Sequence, residues 1–477
     1  MKIQNSYHQL GSNFYKDQAP DKIANPQLIT FNSQLAQDLS FKEEFALDYL
    51  SGNKLSSDFK PISLAYAGHQ FGHFVPQLGD GRAVLLGEIY DHNNNLFDIC
   101  LKGSGKSFFS RNGDGKCPID AAIREYLMSE SMYFLNISTA RSLALIKSDE
   151  IIYRENPIES AIITRIAKSH IRIGTFEYFA CRNDINNLKI LADYAINRHF
   201  LEISKNNNKY LDLLKMVMRL QADLVSDWLS VGFVHGVMNS DNVAISGQTI
   251  DYGPCSFVDE YDPNFCLSYI DQRRRYSFSN QKHIILWNLS KFAGSILPLI
   301  NSDIKKSIII AEEELEKFPN LFEKTYLKKM AQKIGIFNEK DDDINLIGQF
   351  LDILEENNLD FTNSFRILSK ILIKEEEFQV QNTQYRNWQV KWFKRLKEQG
   401  GDNNEIAQKM DQINPILIPR NHIMQKIIKD AAINDDYTEF NKFLIAIKNP
   451  FIKQHSYNEY YQLPNDNERV KNTFCGT

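Results

Sequence analysis

Between Ala65 and Arg172 the apolar residues fall in short aliphatic runs punctuated by glycine. "RAVLLGEIY", "NLFDICLKG", "SLALIK" and "SAIITRIA" each predict a strand. The polar run His92-Asn93-Asn94-Asn95 supplies a hairpin turn between the first two. One helix interrupts them. In "CPIDAAIREYLMSESMYFL", Pro118 suits a first helical position, and Ile119, Ala122, Ile123, Tyr126 and Leu127 recur at helical spacing as a buried stripe. From about Leu188 the period lengthens to that of a helix, as in "YLDLLKMVMRLQADLVSDWLSVGF", "INLIGQFLDILEENN" and "TNSFRILSKILIKEEE". The greasiest segment, "HIILWNLSKFAGSILPLI", carries Asn288 and Lys291 in its middle and reads as a buried helix rather than a membrane span. Sheet with one helix, then a mainly helical half, predicts an α+β protein.

Composition narrows this little. The chain has 477 residues, 43% hydrophobic and 24% charged, with a net charge of -5, ordinary for a soluble globular protein and without the basic footprint of a nucleic-acid binder. The N-terminus shows neither an apolar signal segment nor transit-peptide character, so a cytoplasmic protein, away from membranes, is expected. Six cysteines with no CxxC pair argue against a disulfide framework or a zinc site. Most should be buried thiols, whereas Cys475, near the chain end, should be accessible.

The candidate chemistry lies in loops. "QLGDGRAVLLGE" places Gly79 and Gly81 two apart before a strand, with Arg82 following. Such a loop brings backbone N–H groups and a guanidinium to phosphate, or simply makes a hairpin turn. Asp80 is unusual there, since a carboxylate repels a triphosphate. Gly105-Lys106-Ser107 lacks the leading glycine of a Walker loop, whose place is held by Cys100. Lys102 instead closes a strand that alternates Phe97, Ile99 and Leu101. Protein kinases place their nucleotide-holding lysine so, and a surface strand end is the other reading. Its partner would be Glu125 or Glu130, and Glu125, nearer the helix start, is preferred. Asp114 and Gly115 either cap the following helix or meet a nucleotide. Arg165 and Arg172, framed by apolar residues, are either a solvated edge or a buried anion clamp. "DDDIN", Asp341 to Asn345, reads as acids at a helix start rather than a calcium loop.

"VHGVMNSDNVAISGQTIDYG" carries the strongest signal. Laid over the kinase pattern of His-Arg-Asp, four residues and Asn, then Asp-Phe-Gly, it puts His235 in the His place, Asn242 in the Asn place and Asp251-Tyr252-Gly253 in the metal-binding triplet. Val237 occupies the place of the catalytic aspartate. The loop should follow an amphipathic helix ending near Gly232, and "TIDYG" reads as a short strand ending in an acid. Asn242 and Asp251 are hard oxygen ligands suited to Mg²⁺ shared with phosphates.

In order along the chain, "NSYHQLGSNFY", "LAYAGHQFGHFVPQLGDGRAVLLGE", "LKGSGKSFFSRNGDGK", "REYLMSESM", "TRIAKSHIRIGTFE", "HGVMNSDN", "TIDYGPCSFVDEYDPN", "RYSFSNQ", "LWNLSKFA" and "NPILIPRN" resemble the selenoprotein O, or YdiU, family of kinase-like protein adenylyltransferases. The resemblance covers almost the whole chain. It implies a two-lobed kinase-like fold: an N-terminal extension over 1–60, a sheet-rich N-lobe over 61–185, a C-lobe with the catalytic and metal loops over 186–300, and a helical extension and tail over 301–477.

The resemblance also implies ATP bound in a flipped orientation, with AMP passed to Ser, Thr or Tyr hydroxyls of protein substrates and pyrophosphate released. Asp241 would then be the proton acceptor. Gly79, Gly81, Arg82, Lys102, Asp114, Gly115, Arg165, Arg172 and Asp251 would bind the nucleotide, with Asn242 and Asp251 holding Mg²⁺ or Mn²⁺ and Glu125 pairing with Lys102. UTP in place of ATP stays open, and a monomer is expected. A Cys266–Cys475 disulfide is suggested too, although "DPNFCL" brings Cys266 one position earlier than the family's pattern. A small-molecule or protein kinase and a nucleotide-binding pseudokinase scaffold are the rival readings. Val237 weighs against the first, and joint retention of Lys102, Asn242 and Asp251 against the second.

Overall fold

The computed structural model describes residues 1–474. Its N-terminal part is built on one nine-stranded sheet whose pairings are all antiparallel. In chain order the strands of this region are β1 (Ile3–Gln4), β2 (Tyr15–Asp17), β3 (Gln27–Phe31), β4 (Ile62–Leu64), β5 (Gly68–Gln70), β6 (His73–Val75), β7 (Ala83–Tyr90), β8 (Leu96–Lys102), β9 (Cys117–Pro118), β10 (Arg141–Tyr153) and β11 (Pro157–Ala167). The sheet runs β2-β4-β7-β8-β11-β10-β3, with β1 added on β7 and β9 on β11, while β5 and β6 form a separate hairpin. The four strands expected from the aliphatic runs are β7, β8, β10 and β11. The turn between the first two is keyed by Asp91, whose carboxylate accepts the N–H groups of Asn93 and Asn95 at 2.9 and 2.7 Å.

Both faces of the sheet are buried, which is why its strands read as aliphatic runs rather than strict alternations. One face, carrying Cys100 and Ile163, packs on helix residues Ile119, Ala122, Ile123, Tyr126 and Leu127. The other, carrying Ile99, Leu101 and Ile162, is covered by Leu35, Leu39, Ala46, Leu50 and Phe59 from the first sixty residues. Those residues include two short helices, α1 (Ser33–Asp38) and α2 (Ala46–Leu50). Residues 1–60 therefore both extend the sheet, through β1, β2 and β3, and seal its back.

The interrupting helix is α3 (Ile119–Phe134). Pro118 is not its first residue. It lies in β9 and stands as the N-cap with an extended ψ of 148°, because Cys117 and Pro118 are paired with Ala161 and Ser160 of β11. Helical structure also resumes sooner than the sequence pattern indicates, with α4 (Ile173–Ala180) and α5 (Ile185–His199) preceding the long amphipathic α6 (Lys209–Val231). The residues of α4 are almost all buried, so it lacks the polar stripe that a periodicity reading needs.

Gly232 closes α6 in the left-handed conformation with φ 79°, as a helix-ending glycine does. The chain then forms β12 (Phe233–Val234), the loop that follows it, and β13 (Ser256–Phe257), which pairs with β12. "TIDYG" is not a strand. Thr249 makes only an isolated bridge to Thr139, and Asp251 sits at φ 65°, a conformation that breaks any strand.

The expected greasy helix is α7 (Gln281–Ile300), which by length and composition alone could cross a bilayer. Its polar residues show what it does here. Buried Gln281 accepts the N–H of His235 at 3.0 Å and donates to the Phe233 carbonyl at 2.9 Å, and Asn288 donates to the Met238 carbonyl at 2.9 Å. This helix is the buttress of the loop that follows β12. Eight further helices run from Ile304 to Ala446, among them Asp343–Glu356, with Asp343 in its first turn. Beyond them, Thr473 pairs with Ser268 in an isolated parallel bridge.

Candidate active site

The register of β8 and β11 decides where the cleft's charges stand. Lys102 lies opposite Ile163, and Cys100 opposite Arg165. Residues directly opposite, and those two apart on a strand, share one face. Lys102 and Arg165 therefore point together toward α3, which presents Glu125. Lys102 Nζ lies 2.5 Å from Glu125 Oε2 and 2.8 Å from Asp251 Oδ1. Arg165 completes the square, with Nε on Glu125 Oε1 and Nη2 2.9 Å from the same Asp251 oxygen. Glu130, the other acid on the helix, is taken by Arg141 at 2.8 and 2.6 Å.

All four members of this square are largely or wholly buried. Burial by itself would raise the carboxyls of Glu125 and Asp251. Arg165 and Lys102 outweigh it and hold Glu125 below the ordinary range, and the same two cations with Arg82 hold Asp251 well below it. Burial likewise opposes the Arg165 charge, yet Glu125 and Asp251 keep that guanidinium firmly protonated. The positive φ of Asp251 is the backbone conformation that sets its carboxylate against both cations.

Around this square opens a cleft of about 470 Å³ lined by Gly79, Gly81, Arg82, Lys102, Asp114, Gly115, Arg165, Arg172, Val237, Asp241, Asn242 and Asp251, among others. Every nucleotide, metal and base candidate from the sequence is thus in one place. Seven basic side chains, now including Arg111, Lys116 and Arg154, face four carboxylates there. Such an excess suits a polyanion. Gly79, at φ 79°, packs so closely under Phe109 that a Cβ would collide with the ring. A larger hollow, of about 810 Å³, lies between Asp38, Tyr133, Arg141 and Phe451, but its Arg141 is already paired with Glu130.

Asp80, at the cleft wall, is occupied by partners within the protein. Its Oδ2 accepts the N–H of Leu64 at 3.1 Å and its Oδ1 lies 3.5 Å from Arg172 Nη2. The acid therefore shapes the glycine loop and steadies Arg172, whose guanidinium also lies 4.3 Å over the Tyr66 ring. Arg165 and Arg172 are both buried, not on a solvated edge. Asp114 does not cap α3. It accepts the N–H of Lys116 at 3.0 Å and both Nη groups of Arg154 at 2.8 and 2.9 Å.

Asp241 occupies the short helical turn Ser240–Asn242 after β12. Its Oδ2 receives Gln70 Nε2 at 3.3 Å, whereas buried Oδ1 has no hydrogen-bond partner among the described residues. Burial pushes its carboxyl up to about 7. Asn242 donates its amide Nδ2 to the Val237 carbonyl at 3.1 Å, which leaves the amide oxygen as the end available to a cation. His235 donates from Nε2 to the Ile250 carbonyl at 3.0 Å, tying the Asp241 loop to the Asp251 loop.

Sequence reasoning missed the β5–β6 hairpin. It folds over Asp241 so closely that a Cβ at Gly68 would collide with the Asp241 side chain. His69 N–H donates to Ser240 Oγ at 2.7 Å, Ser240 Oγ donates to Glu177 Oε2 at 2.5 Å, and the His69 ring meets Glu177 Oε1 at 2.5 Å. The repeated glycines of "AGHQFGH" were the available signal, since glycine marks close backbone approach.

Among the described cysteines, Cys100, Cys117 and Cys255 are buried, Cys181 is exposed and Cys266 half-buried. Cys266 Sγ lies 3.6 Å from Asp271 Oδ2, and burial pushes its thiol up to about 11. Cys475 lies outside the described residues.

The family model described as protein adenylyltransferase SelO matches residues 1–448. The protein nucleotidyltransferase YdiU of Clostridium botulinum (strain Alaska E43 / Type E3) is 42% identical over 483 residues, spanning 100% of this chain and 98% of the relative. That of Maridesulfovibrio salexigens is 43% identical over 485 residues, spanning 100% and 98%. That of Brevibacillus brevis is 43% identical over 478 residues, spanning 99% and 97%.

Proposed function

We infer the reaction from membership: the chain belongs to the SelO family of protein adenylyltransferases, and it is a nucleotidyltransferase that passes AMP from ATP to proteins. The finer reading concerns how this cleft does so. Its architecture is read as kinase-like, with the sheet and α3 as one lobe, the helical part carrying Asp241, Asn242 and Asp251 as the other, and further helices after about residue 300.

ATP lies in the cleft with its phosphates toward Lys102, Arg165 and Arg172 and the glycine loop around Gly79 and Gly81. Asp114 and Gly115 complete the nucleotide's surroundings. Asn242 and Asp251 would hold a divalent metal, Mg²⁺ or Mn²⁺. The donor set fits such an ion: a neutral amide oxygen, a carboxylate kept ionised, and nearby the unpartnered buried Oδ1 of Asp241 are all hard oxygens. When bound, the ion neutralises charge on the phosphates.

Asp241 takes the proton of an acceptor Ser, Thr or Tyr hydroxyl as that oxygen attacks the α-phosphorus. The bond from the α-phosphorus to the bridging oxygen breaks, and pyrophosphate leaves with the charge that the preplaced cations stabilise. A carboxyl near 7 is matched to accepting a proton at neutral pH. Val237, where kinases keep their acid, offers no base to a reaction at the outer phosphorus. The observation that carries this reading is Asp241, a buried carboxyl with an unpartnered oxygen in a cleft otherwise rich in cations.

Intact-mass measurement of the purified protein with ATP and Mg²⁺ or Mn²⁺ tests it. Self-addition of AMP by the parent and its loss in Asp241→Ala, with ATP affinity kept, is the expected result. Parent-rate transfer by Asp241→Ala would refute the role of Asp241 as base. The same assay with UTP decides nucleotide choice.

A further inference from the structure

Next to the cleft mouth the chain reads Asp271-Gln272-Arg273-Arg274-Arg275-Tyr276. Three consecutive arginines in a protein of net charge -5 would ordinarily be matched by nearby acids. Here none of the three pairs with a carboxylate side chain among the described residues. Arg274 Nη1 reaches only the Asn264 carbonyl, at 3.5 Å, and Arg275 is held by rings, 4.7 Å over Trp287 and 5.8 Å over Tyr276. The nearest acid in sequence, Asp271, is buried and turned inward, where it accepts the N–H groups of Arg275 and Tyr276 at 2.9 and 2.7 Å. Arg273 and Arg274 are exposed.

This charge is rigidly referenced to the proposed base. Tyr276 OH donates to Asn239 Oδ1 at 2.7 Å, and the Phe71 N–H donates to the same oxygen at 3.0 Å. Asn239 is two residues from Asp241, and Gln70, beside Phe71, reaches Asp241 directly. Ile270, from the arginine loop, lines the cleft together with Asp241 and is 48% exposed. Phe74 on the hairpin is 40% exposed. Uncompensated cations, flanked by exposed apolar side chains and fixed to the loop of the base, make a surface for something that must be placed against that base.

We propose that Arg273, Arg274 and Arg275, with Ile270 and Phe74, form the docking surface for the acceptor protein and select a segment with Asp or Glu close to the modified hydroxyl. The inference rests on the protein-acceptor reading above. Its physical content is charge complementarity: an acidic segment is steered to a positive island beside the cleft, and a basic segment is repelled. A carboxylate meets a guanidinium bidentately, so the surface sets position as well as attraction.

A degenerate library of Ser-, Thr- and Tyr-containing peptides, incubated with α-labelled ATP and metal, tests this with the parent and with the double variant R273E/R274E. AMP-bearing peptides from the parent should be enriched at least several-fold in Asp and Glu near the modified residue, and the variant should lose or invert that bias. ATP affinity, measured alongside on both proteins, reports that the cleft is folded. R273Q/R274Q, which removes charge without reversing it, should erase the bias without inverting it. An unbiased product set from the parent, or the same acidic bias in all three proteins, would overturn the proposal. ATP binding without transfer to any peptide or to the protein itself would instead overturn the protein-acceptor reading on which it rests.

Discussion

Lys102 and Lys333 are almost equally buried, at 5% and 2% exposure, and the molecule treats them in opposite ways. Lys102, in the cleft, has Glu125 and Asp251 within 2.8 Å. Lys333, at the end of a helix in the C-terminal part, has only rings beside its ammonium among the described residues, with Phe365 at 4.4 Å and Phe361 at 5.7 Å. Burial pushes its ammonium down to about 7. Depth alone therefore does not make a charged site. The partners do: Glu125 and Asp251 are kept ionised by their cations against the same burial that lowers Lys333. The cleft keeps charge at the proposed triphosphate site, whereas the helical part uses buried charge to fasten elements. Arg420 shows the second use, bridging Asp259 at 3.0 Å and Asp360 at 2.6 Å and so joining the C-terminal helices to the segment after β13.

The largest effect is expected at Asp251, which both cleft cations share. Asp251→Ala leaves Lys102 and Arg165 with one carboxylate between them, and AMP transfer should fall by about a thousandfold or more, as when a preorganised charge is removed from an active site. Metal-dependent ATP binding should be lost as well, as read by calorimetry. Next is Asp241→Asn, which should lower turnover by roughly a hundredfold to ten-thousandfold, the usual worth of a general base, while ATP affinity stays near that of the parent.

Lys333→Met tests the other side. It replaces a cation that is costly to bury with an apolar chain of similar length, so stability at neutral pH should rise, on the order of 4–5 kcal/mol for a lysine lowered from 10.5 to about 7 at about 1.4 kcal/mol per pKa unit. The sign follows from linkage. Between about pH 7 and the ordinary lysine value of 10.5, the unfolded chain holds a proton that the folded one lacks, so parent stability climbs with pH across that window. In the Met variant this climb should be absent from chemical denaturation curves, with AMP transfer unchanged. A destabilised Lys333→Met would mean that the lysine's ring contacts outweigh its burial. The smallest effect is expected at the partly exposed Asp114–Arg154 pair, where Arg154→Ala should shift stability by less than about 1 kcal/mol.

Much of this was legible in the sequence where local pattern and chemistry coincide. The β7, β8, β10 and β11 runs, the α3 stripe and the Gly232 stop are all local signals. The Glu125 pairing needed only the choice of the acid nearer the helix start. Contacts that depend on long-range approach were not legible. Nothing near "AGHQFGH" shows that Gly68 will lie against Asp241, more than a hundred residues on, or that Glu177 will link His69 to Ser240. Asp80 seemed hostile to phosphate because its true partners, the Leu64 N–H and Arg172, lie on other elements. "TIDYG" read as a strand because Ile250 and Tyr252 alternate with polar residues, and pattern does not reveal the positive φ that turns Asp251 toward two cations.

AMP transfer requires that the inner phosphorus of ATP be the one attacked. Transfer from ATP labelled at the α or at the γ phosphate measures this directly, with the same enzyme, metal and acceptor in both arms. Label should enter protein from the α position alone, in step with pyrophosphate release, and its rate should fall by about a hundredfold or more in Asp241→Asn. Protein label from the γ position, with ADP as the product, would contradict the account.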